Sequence, residues 1–269
     1  SCSSNVACWS GAFCKIIESQ MSDISISQLS KTYPGATPVH ALDNIDLHVR
    51  AGEFVALLGP SGCGKSTLLN MIAGFESASS GSLLVGGKPV TRPGPERGVV
   101  FQEAALFPWL NVWENVIFGP KTAGLPKAQY EQRAKDMLEI TGLSAFTKSL
   151  PVQLSGGMRQ RVGIARVLTL GSQVLLMDEP FGALDAQTRL TMQELLLSVW
   201  QNLRTTVVFV THDIDEAILL ADTIYVMSAR PGRIATRIPV PIERPRTLDL
   251  ITGDVFNELK RDILQKMRH

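Results

Sequence analysis

The chain has 269 residues, a length that suits one large α/β domain with an inserted lobe. Hydrophobic residues make up 45% and charged residues 19%, which is typical of a globular protein and excludes a disordered one. The formal net charge of +1 gives no electrostatic reason to expect nucleic acid as a partner. No apolar run approaches the roughly 18–20 residues that cross a bilayer, so a transport path would have to come from other subunits.

Cysteine usage indicates a reducing compartment. Cys2, Cys8 and Cys14 lie near the start of the chain, and only Cys63 follows. A disulfide framework would spread cysteines through the fold, and the three early cysteines lack the close pair that is typical of zinc sites. Residues 1–20 also lack a basic segment followed by an apolar core. We therefore interpret them as an extension or tag, expected to be disordered, rather than as a signal peptide.

Hydrophobic patterning predicts an alternation of strands and helices. Strand-like runs occupy residues 24–49 (an antiparallel pair), 54–58, 81–90 (a hairpin around a Gly-Gly pair), 99–102, 174–177, 207–210, 224–227 and 233–238. Helical spacing occupies a segment that ends at Gly74, and residues 127–140, 157–170, 190–203 and 254–267, the last as one apolar stripe.

The order of these elements predicts the fold class and the domain organisation. Residues 103–171 carry helical spacing and no strand-like run. We therefore predict an α/β core over 21–102 and 172–269, with an N-terminal antiparallel β subdomain and an inserted α-helical subdomain over 103–171.

A glycine-rich loop after the first buried strand predicts a phosphate site. The loop fits G-x-x-x-x-G-K-[ST], and its residues are Gly59, Pro60, Ser61, Gly62, Cys63, Gly64, Lys65, Ser66 and Thr67. Glycines let the backbone N–H groups approach phosphate, Lys65 adds a full charge, and the Ser66 hydroxyl suits Mg²⁺. A purely structural turn is the alternative, but the strand before the loop and the helix after it favour a P-loop NTPase (RecA-like) core that binds ATP and Mg²⁺.

Two other buried strands deliver polar side chains at their carboxyl ends. Residues 174–177 lead into Asp178 and Glu179, and residues 207–210 lead into Thr211 and His212. Beside a phosphate loop, Asp178 would reach Mg²⁺ and Glu179 would orient or deprotonate the attacking water. His212 would hydrogen-bond the γ-phosphate, because ligands of such sheets lie at the carboxyl ends of strands. Taken alone, either pattern also fits a strand end that meets solvent.

The segment 154–161, Leu-Ser-Gly-Gly-Met-Arg-Gln-Arg, resembles the signature of ABC ATPases. The resemblance implies that Ser155, Gly156 and Gly157, at a helix N-terminus, serve the γ-phosphate of an ATP held by another subunit. It therefore implies a head-to-tail homodimer that clamps ATP between two chains. Met158 stands where the family commonly has Gln.

Other positions fit the same family, over about residues 22–240. Tyr33 falls where an aromatic ring stacks on adenine, and Gln102 matches the loop that senses the γ-phosphate and Mg²⁺. Residues 183–185, Ala-Leu-Asp, match the loop that signals across the dimer. The resemblance implies an ATPase on the cytoplasmic face of a bacterial inner membrane. Its partners would be two transmembrane permease subunits and, indirectly, a periplasmic solute-binding protein, with no nucleic acid.

Three segments look like the taurine, sulfonate and nitrate importer branch, and most like taurine importer ATPases. They are residues 94–102, 106–110 and 228–233. Taurine is therefore the expected solute, with alkanesulfonates or nitrate as alternatives. Phe107, Pro108 and Trp109 would form a groove for the coupling helix of a membrane subunit, unless they pack inside the helical subdomain.

Other classes of protein stay open. A soluble ABC ATPase of DNA repair or translation usually carries two fused cassettes or a long coiled-coil insertion, and neither pattern occurs in this sequence. A non-catalytic nucleotide-binding module would need a damaged site, yet Lys65, Asp178, Glu179 and His212 are all present. Exporters often fuse membrane spans to the cassette, but the chemistry of the ATPase does not decide between import and export.

Overall fold

The computed structural model describes residues 21–267, so the interpretation of residues 1–20 lies outside the described chain. No helix in this range is both long enough and apolar enough to span a membrane. The strands are β1 (Ile24–Tyr33), β2 (Val39–Val49), β3 (Phe54–Leu58), β4 (Ser80–Val85), β5 (Lys88–Pro89), β6 (Arg97–Val100), β7 (Val174–Asp178), β8 (Thr206–Thr211), β9 (Thr223–Met227) and β10 (Ile234–Pro239). The helices are α1 (Lys65–Ala73), α2 (Val112–Thr122), α3 (Lys127–Ile140), α4 (Gly156–Leu170), α5 (Ala186–Leu203), α6 (Ile214–Leu220) and α7 (Asp254–Lys266).

Two sheets build the molecule. An antiparallel sheet has the order β2-β1-β4-β5, and a larger sheet has the order β10-β9-β3-β8-β7-β6. In the larger sheet β9, β3, β8, β7 and β6 run parallel, and β10 pairs antiparallel with β9. Between β6 and β7 the chain forms only helices and short 3-10 turns. The predicted α/β class, with an antiparallel β subdomain, is confirmed.

The parallel sheet is covered on both faces, which explains why its strands are continuously apolar. Along β3, Phe54, Ala56 and Leu58 pack into one apolar cluster with residues of α4, α5 and α6. Val55 and Leu57 point to the opposite face and pack with α1 and the antiparallel sheet. Successive side chains of a strand alternate between faces, so every position of β3 is buried.

Local signals placed several elements where the sequence predicted them. Strand β3 and helix α3 have the predicted bounds, and α1 ends at Gly74, which adopts the left-handed conformation with φ 84°. The hairpin between β4 and β5 turns at Gly86 and Gly87, whose φ values of 55° and 71° favour glycine.

Some predicted bounds and one predicted burial pattern were wrong. Strand β6 ends at Val100 instead of Gln102, because its only neighbour in the described sheet, β7, pairs with it no further than Val100. Helix α5 begins at Ala186 instead of Leu190, because the Asp185 side chain accepts the Thr188 N–H and caps the helix. In α7 the predicted stripe is incomplete, since Val255 is exposed while Phe256 and Ile263 are buried.

The hydrophobic pattern of the sequence did not predict two of the helices, α2 and α6. Helix α2 begins with a capping box in which Asn111 and Glu114 each accept the other's backbone N–H. Helix α6 spans seven residues and is capped by Asp213, which accepts two backbone N–H groups. In both helices a capping residue in the sequence indicates where the helix begins, but α6 is too short to show a helical repeat.

Candidate nucleotide site

The carboxyl ends of three adjacent parallel strands form the candidate site. In the order β3-β8-β7, Leu58 pairs with Thr211, and Val210 pairs with Asp178. This register brings the loops that follow the three strands to one edge of the sheet. The glycine-rich loop, Asp178 with Glu179, and His212 therefore meet at the edge where ligands of parallel sheets bind.

The glycine-rich loop leaves a helix N-terminus open. Gly64 is the N-cap of α1 with φ 99°, and no side chain caps the first turn. Lys65 is 4% exposed, and its Nζ donates to the carbonyls of Gly59 (2.8 Å) and Pro60 (3.0 Å). Uncapped N–H groups beside a buried ammonium group make a site that suits phosphate. The geometry therefore fits the phosphates of a nucleotide.

An oxygen pair lies beside this loop. The Ser66 hydroxyl donates to Oδ1 of Asp178 at 3.0 Å. Burial raises the pKa of Asp178, the Ser66 hydrogen bond opposes this, and the neighbouring Glu179 adds to the increase. The described residues contain no group of three or more His, Cys, Asp or Glu able to hold a metal by themselves. A hydroxyl and one carboxylate instead fit a hard cation that takes its other ligands from phosphate and water.

Glu179 and His212 form a pair at the same edge. Nδ1 of His212 lies 3.0 Å from Oε2 of Glu179, with the carboxylate as the acceptor. The histidine side chain is 59% exposed and the glutamate 24%. Glu179 has φ 43°, and its N–H donates to the Val210 carbonyl at 3.0 Å. A non-glycine residue in the left-handed region is uncommon and is often found where a side chain must be aimed.

Gln102 lies close to this pair. A Cβ atom added at Gly182 would lie 3.3 Å from Nε2 of Gln102 and 3.8 Å from Oε2 of Glu179. The side chains of Gln102 and Glu179 therefore both lie next to Gly182. Gln102 is exposed and comes after the last residue of β6.

Tyr33, at the end of β1, lines the same cleft as the glycine-rich loop and Glu179. The Lys31 ammonium sits over the tyrosine ring at 4.8 Å from its centroid. Arg230 also lines this cleft, and the sequence reasoning did not single it out as a site residue. The signal was present, because Arg230 lies in the 228–233 segment that was noted only for its resemblance to an importer branch.

The segment Ser155–Gly157 stands apart from this cleft. Ser155 is the N-cap of α4, and its Oγ accepts the Met158 N–H at 3.2 Å. None of these three residues lines the cleft within the described chain. A Cβ atom added at Gly157 would lie 2.4 Å from Cγ2 of Thr188, so α4 starts in tight contact with α5. Met158 is partly buried and packs against the apolar core.

The sequence analysis also did not identify a buried carboxylate that contacts Thr211, the residue before His212. Glu216 accepts from the Thr211 hydroxyl (2.6 Å) and from Nε2 of Gln193 (3.3 Å). Burial raises the pKa of Glu216, and the Thr211 hydrogen bond opposes that increase. These contacts tie the end of β8, immediately before His212, to helices α5 and α6. A single glutamate on a short helix gave no such signal in the sequence.

Comparison with known proteins identifies the class. A family model described as ABC transporter matches residues 42–182. The chain is 48% identical over 235 residues to the bicarbonate transport ATP-binding protein of Synechocystis, covering 86% of this chain and 83% of that protein. It is 44% identical over 247 residues to an aliphatic sulfonates import ATP-binding protein of Bacillus cereus, covering 91% and 96%.

The fold has solved counterparts. A dimeric, post-hydrolysis structure of an ATP-binding cassette bound to ADP and Pi superposes with a TM-score of 0.70 at 30% identity, covering 82% of this chain and all of that one. The fold and the cleft define a P-loop ATPase. Together with the family match, they show that the chain belongs to the ABC transporter family, as an ATP-binding subunit that hydrolyses ATP.

Proposed function

We propose that the chain energises an importer for taurine, working at the cytoplasmic face of a bacterial inner membrane. One observation supports the role of the chain as the ATP-hydrolysing subunit. Lys65, the Ser66–Asp178 pair and the Glu179–His212 pair lie at the same edge of the sheet. The choice of solute is supported by the resemblance of residues 94–102, 106–110 and 228–233 to taurine importer ATPases. A relative named for aliphatic sulfonates keeps alkanesulfonates as the alternative.

The proposed roles follow from the contacts. Residues 59–67 hold the phosphates, and Tyr33 stacks on the adenine. Ser66, Gln102 and Asp178 hold Mg²⁺, which when bound neutralises charge on the phosphates. Glu179 accepts a proton from the attacking water, and His212, whose Nδ1 lies 3.0 Å from Oε2 of Glu179, keeps the carboxylate aimed. His212 would also hydrogen-bond the γ-phosphate.

Hydrolysis by this proposal needs a second copy of the chain. The N-cap Ser155 and Gly156 are exposed at a helix N-terminus, Gly157 after them is buried, and all three lie outside the cleft of their own chain. An anion site that faces outward is suited to phosphate held by a partner. The solved cassette, which is dimeric in a post-hydrolysis state, supports a two-chain arrangement.

A surface groove supports docking of the permease subunits. Exposed aromatic side chains border it between the core and residues 103–171, which we propose as the inserted helical subdomain; they are Phe75, Phe101 and Phe118. The partly buried Phe107 also lines the groove, and the exposed Trp109 packs beside it. Trp109 is 72% exposed, so it does not pack inside the helices. Contiguous exposed aromatic surface favours contact with an apolar partner segment, here a coupling helix of a membrane subunit. The periplasmic solute-binding protein would act through that subunit.

The solute is tested by growth of the host. The gene is deleted, and growth is scored with taurine or an alkanesulfonate as sole sulfur source and with nitrate as sole nitrogen source. We expect a defect on taurine that the wild-type gene restores. A defect confined to alkanesulfonates or to nitrate would replace taurine with that solute, and normal growth on all of them would reject this group of solutes.

The catalytic assignment is tested with Glu179→Gln. This variant should bind ATP with near wild-type affinity but lose at least about 100-fold in kcat, the lower range for loss of a general base. Glu139→Gln makes the same chemical change on the exposed face of α3 and serves as the control. Hydrolysis by Glu179→Gln at the rate of the control would refute the assignment. If the gene for Glu179→Gln fails to restore growth of the deletion strain, transport depends on hydrolysis.

A further inference from the structure

The segment that follows β9, residues 228–233, lies against strand β2. The Asp43 N–H donates to the Gly232 carbonyl at 2.9 Å, and the Gly232 N–H donates to the Ala41 carbonyl at 3.0 Å. Leu42 and Gly232 thereby form an isolated parallel bridge. The segment is held to β2 on one side.

The other side of the segment touches the glycine-rich loop directly. A Cβ atom added at Gly232 would lie 2.0 Å from the Cys63 carbonyl oxygen, so two backbones are in contact there. Nε of Arg230 donates to the Gly62 carbonyl at 2.9 Å. The same guanidinium covers Gly62, since a Cβ atom added at Gly62 would lie 3.2 Å from Nη2. The segment therefore contacts two consecutive carbonyls of the loop.

The contacted peptide belongs to the glycine-rich loop, whose Gly62 lines the cleft. The Gly62 carbonyl and the Cys63 N–H belong to one peptide unit, and that N–H makes only a long contact of 3.4 Å with the Pro60 carbonyl. A charged donor on a carbonyl polarises the peptide and strengthens its N–H as a donor. Gly62 and Gly64 are both left-handed, with φ 76° and 99°, and because glycine is conformationally permissive a contact from outside the loop restricts the shapes it can adopt.

The charge of Arg230 is not neutralised by a neighbour. Arg233 of the same segment pairs with Asp43, whereas no described carboxylate lies within ion-pair distance of Arg230. Arg230 also lines the cleft together with Lys65 and Tyr33. Its positive charge therefore adds to the potential at the rim of a site for polyanions.

We propose that residues 228–233 act as a clamp on the glycine-rich loop, and that Arg230 is a positioning residue that increases the affinity of this loop for nucleotide phosphate. The inference rests on the proposed role of residues 59–67 as the phosphate-binding loop. The contact joins Arg230 to the loop backbone and involves none of the reacting groups. It stabilises ground state and transition state alike, so its loss raises KM and leaves kcat unchanged.

The test compares Arg230→Ala, Arg230→Lys and the charge-matched control Arg237→Ala in the full chain. Arg237 is exposed on β10, with its guanidinium over the Tyr225 ring at 6.0 Å from the centroid. The Kd for ATP is measured by titration with a fluorescent ATP analogue and competition with ATP, at low and high salt, and KM and kcat come from phosphate release.

For Arg230→Ala we expect Kd and KM to rise about fivefold at low salt, with kcat within twofold, because an exposed charge-assisted hydrogen bond is worth less than a buried one. Arg230→Lys should return within twofold of wild type, and the difference should shrink at high salt. The thermal midpoint should match that of Arg237→Ala, since no buried group is removed.

Lys65→Ala separates the two levels of the proposal. If Lys65→Ala loses ATP binding while Arg230→Ala binds like Arg237→Ala, the clamp is overturned and the phosphate-loop assignment stands. If Lys65→Ala binds ATP normally, the assignment of the loop itself fails. A kcat loss at unchanged KM in Arg230→Ala, or an Arg230→Lys as weak as Arg230→Ala, would also overturn the positioning role.

Discussion

Arg246 closes the end of helix α6, and replacing it with methionine tests how that end is held. Its Nη1 donates to the carbonyls of Ile218 (3.1 Å), Leu219 (3.3 Å) and Ala221 (2.7 Å). Nε and Nη2 donate to the Ile242 carbonyl at 3.1 and 2.8 Å. The last carbonyls of a helix have no partner within the helix. One side chain, 2% exposed, therefore satisfies a buried helix end.

The expected cost follows from two opposing terms. Each buried carbonyl that loses its donor costs about 1–3 kcal/mol, so at about 1.5 kcal/mol each the four carbonyls cost about 6 kcal/mol. Burial lowers the pKa of Arg246 to about 10, with a smaller contribution from Arg244 and opposition from Asp222. Relative to an ordinary arginine, this is a cost of about 3 kcal/mol, which the uncharged methionine regains. The carbonyl term is larger, so Arg246→Met should destabilise the fold by about 3 kcal/mol.

The assay is thermal unfolding followed by calorimetry. A loss of this size lowers the unfolding midpoint by about 6–12 °C in a chain of this length. Arg237→Met is the matched control, because it makes the same chemical change at an exposed position of β10. An Arg246→Met midpoint within 2 °C of the control would refute the reasoning, since it would mean that water or the remaining chain satisfies the helix end at no cost.

Two further predictions address the clamp and the buried carboxylate. Gly232→Ala should lose about 2–3 kcal/mol of stability, because the new Cβ would lie 2.0 Å from the Cys63 carbonyl oxygen and force the backbone to move. Urea unfolding measures this loss. Gly35→Ala is the control, because its new Cβ would make only an ordinary contact at 3.6 Å. Burial raises the pKa of Glu216, opposed by the hydrogen bond from Thr211, so the folded state holds this proton to higher pH than the unfolded state. The free energy of unfolding should therefore fall, relative to Glu216→Gln, as pH rises from about 4.3 to the folded pKa.

Each of these has a clear contrary result. Equal urea midpoints for Gly232→Ala and Gly35→Ala would show that the two backbones are not in contact. For Glu216, the stability difference between wild type and the glutamine variant is measured at a series of pH values. A difference that stays constant, or grows in favour of wild type with rising pH, would show that the folded state does not raise this pKa.

Sequence patterns predicted those parts of the molecule whose requirements are local. The loop at 59–67 needs left-handed glycines and a lysine at fixed spacing, and the end of α1 needs Gly74, so short windows contain the information. Strand β3 was readable because burial on both faces demands an unbroken apolar run. Helix α6 was not, because seven residues do not show a helical repeat.

The sequence by itself therefore determined the class of chemistry: a loop for phosphate, with carboxylates and a histidine at strand ends. It also predicted a signature segment that serves a second chain. Only the tertiary structure decided which of these meet. The order β3-β8-β7 sets Glu179 beside His212, and the return of the chain after β9 sets Arg230 on Gly62, 168 positions away. Such contacts depend on how sheets and loops pack, and no local pattern of residues encodes that packing.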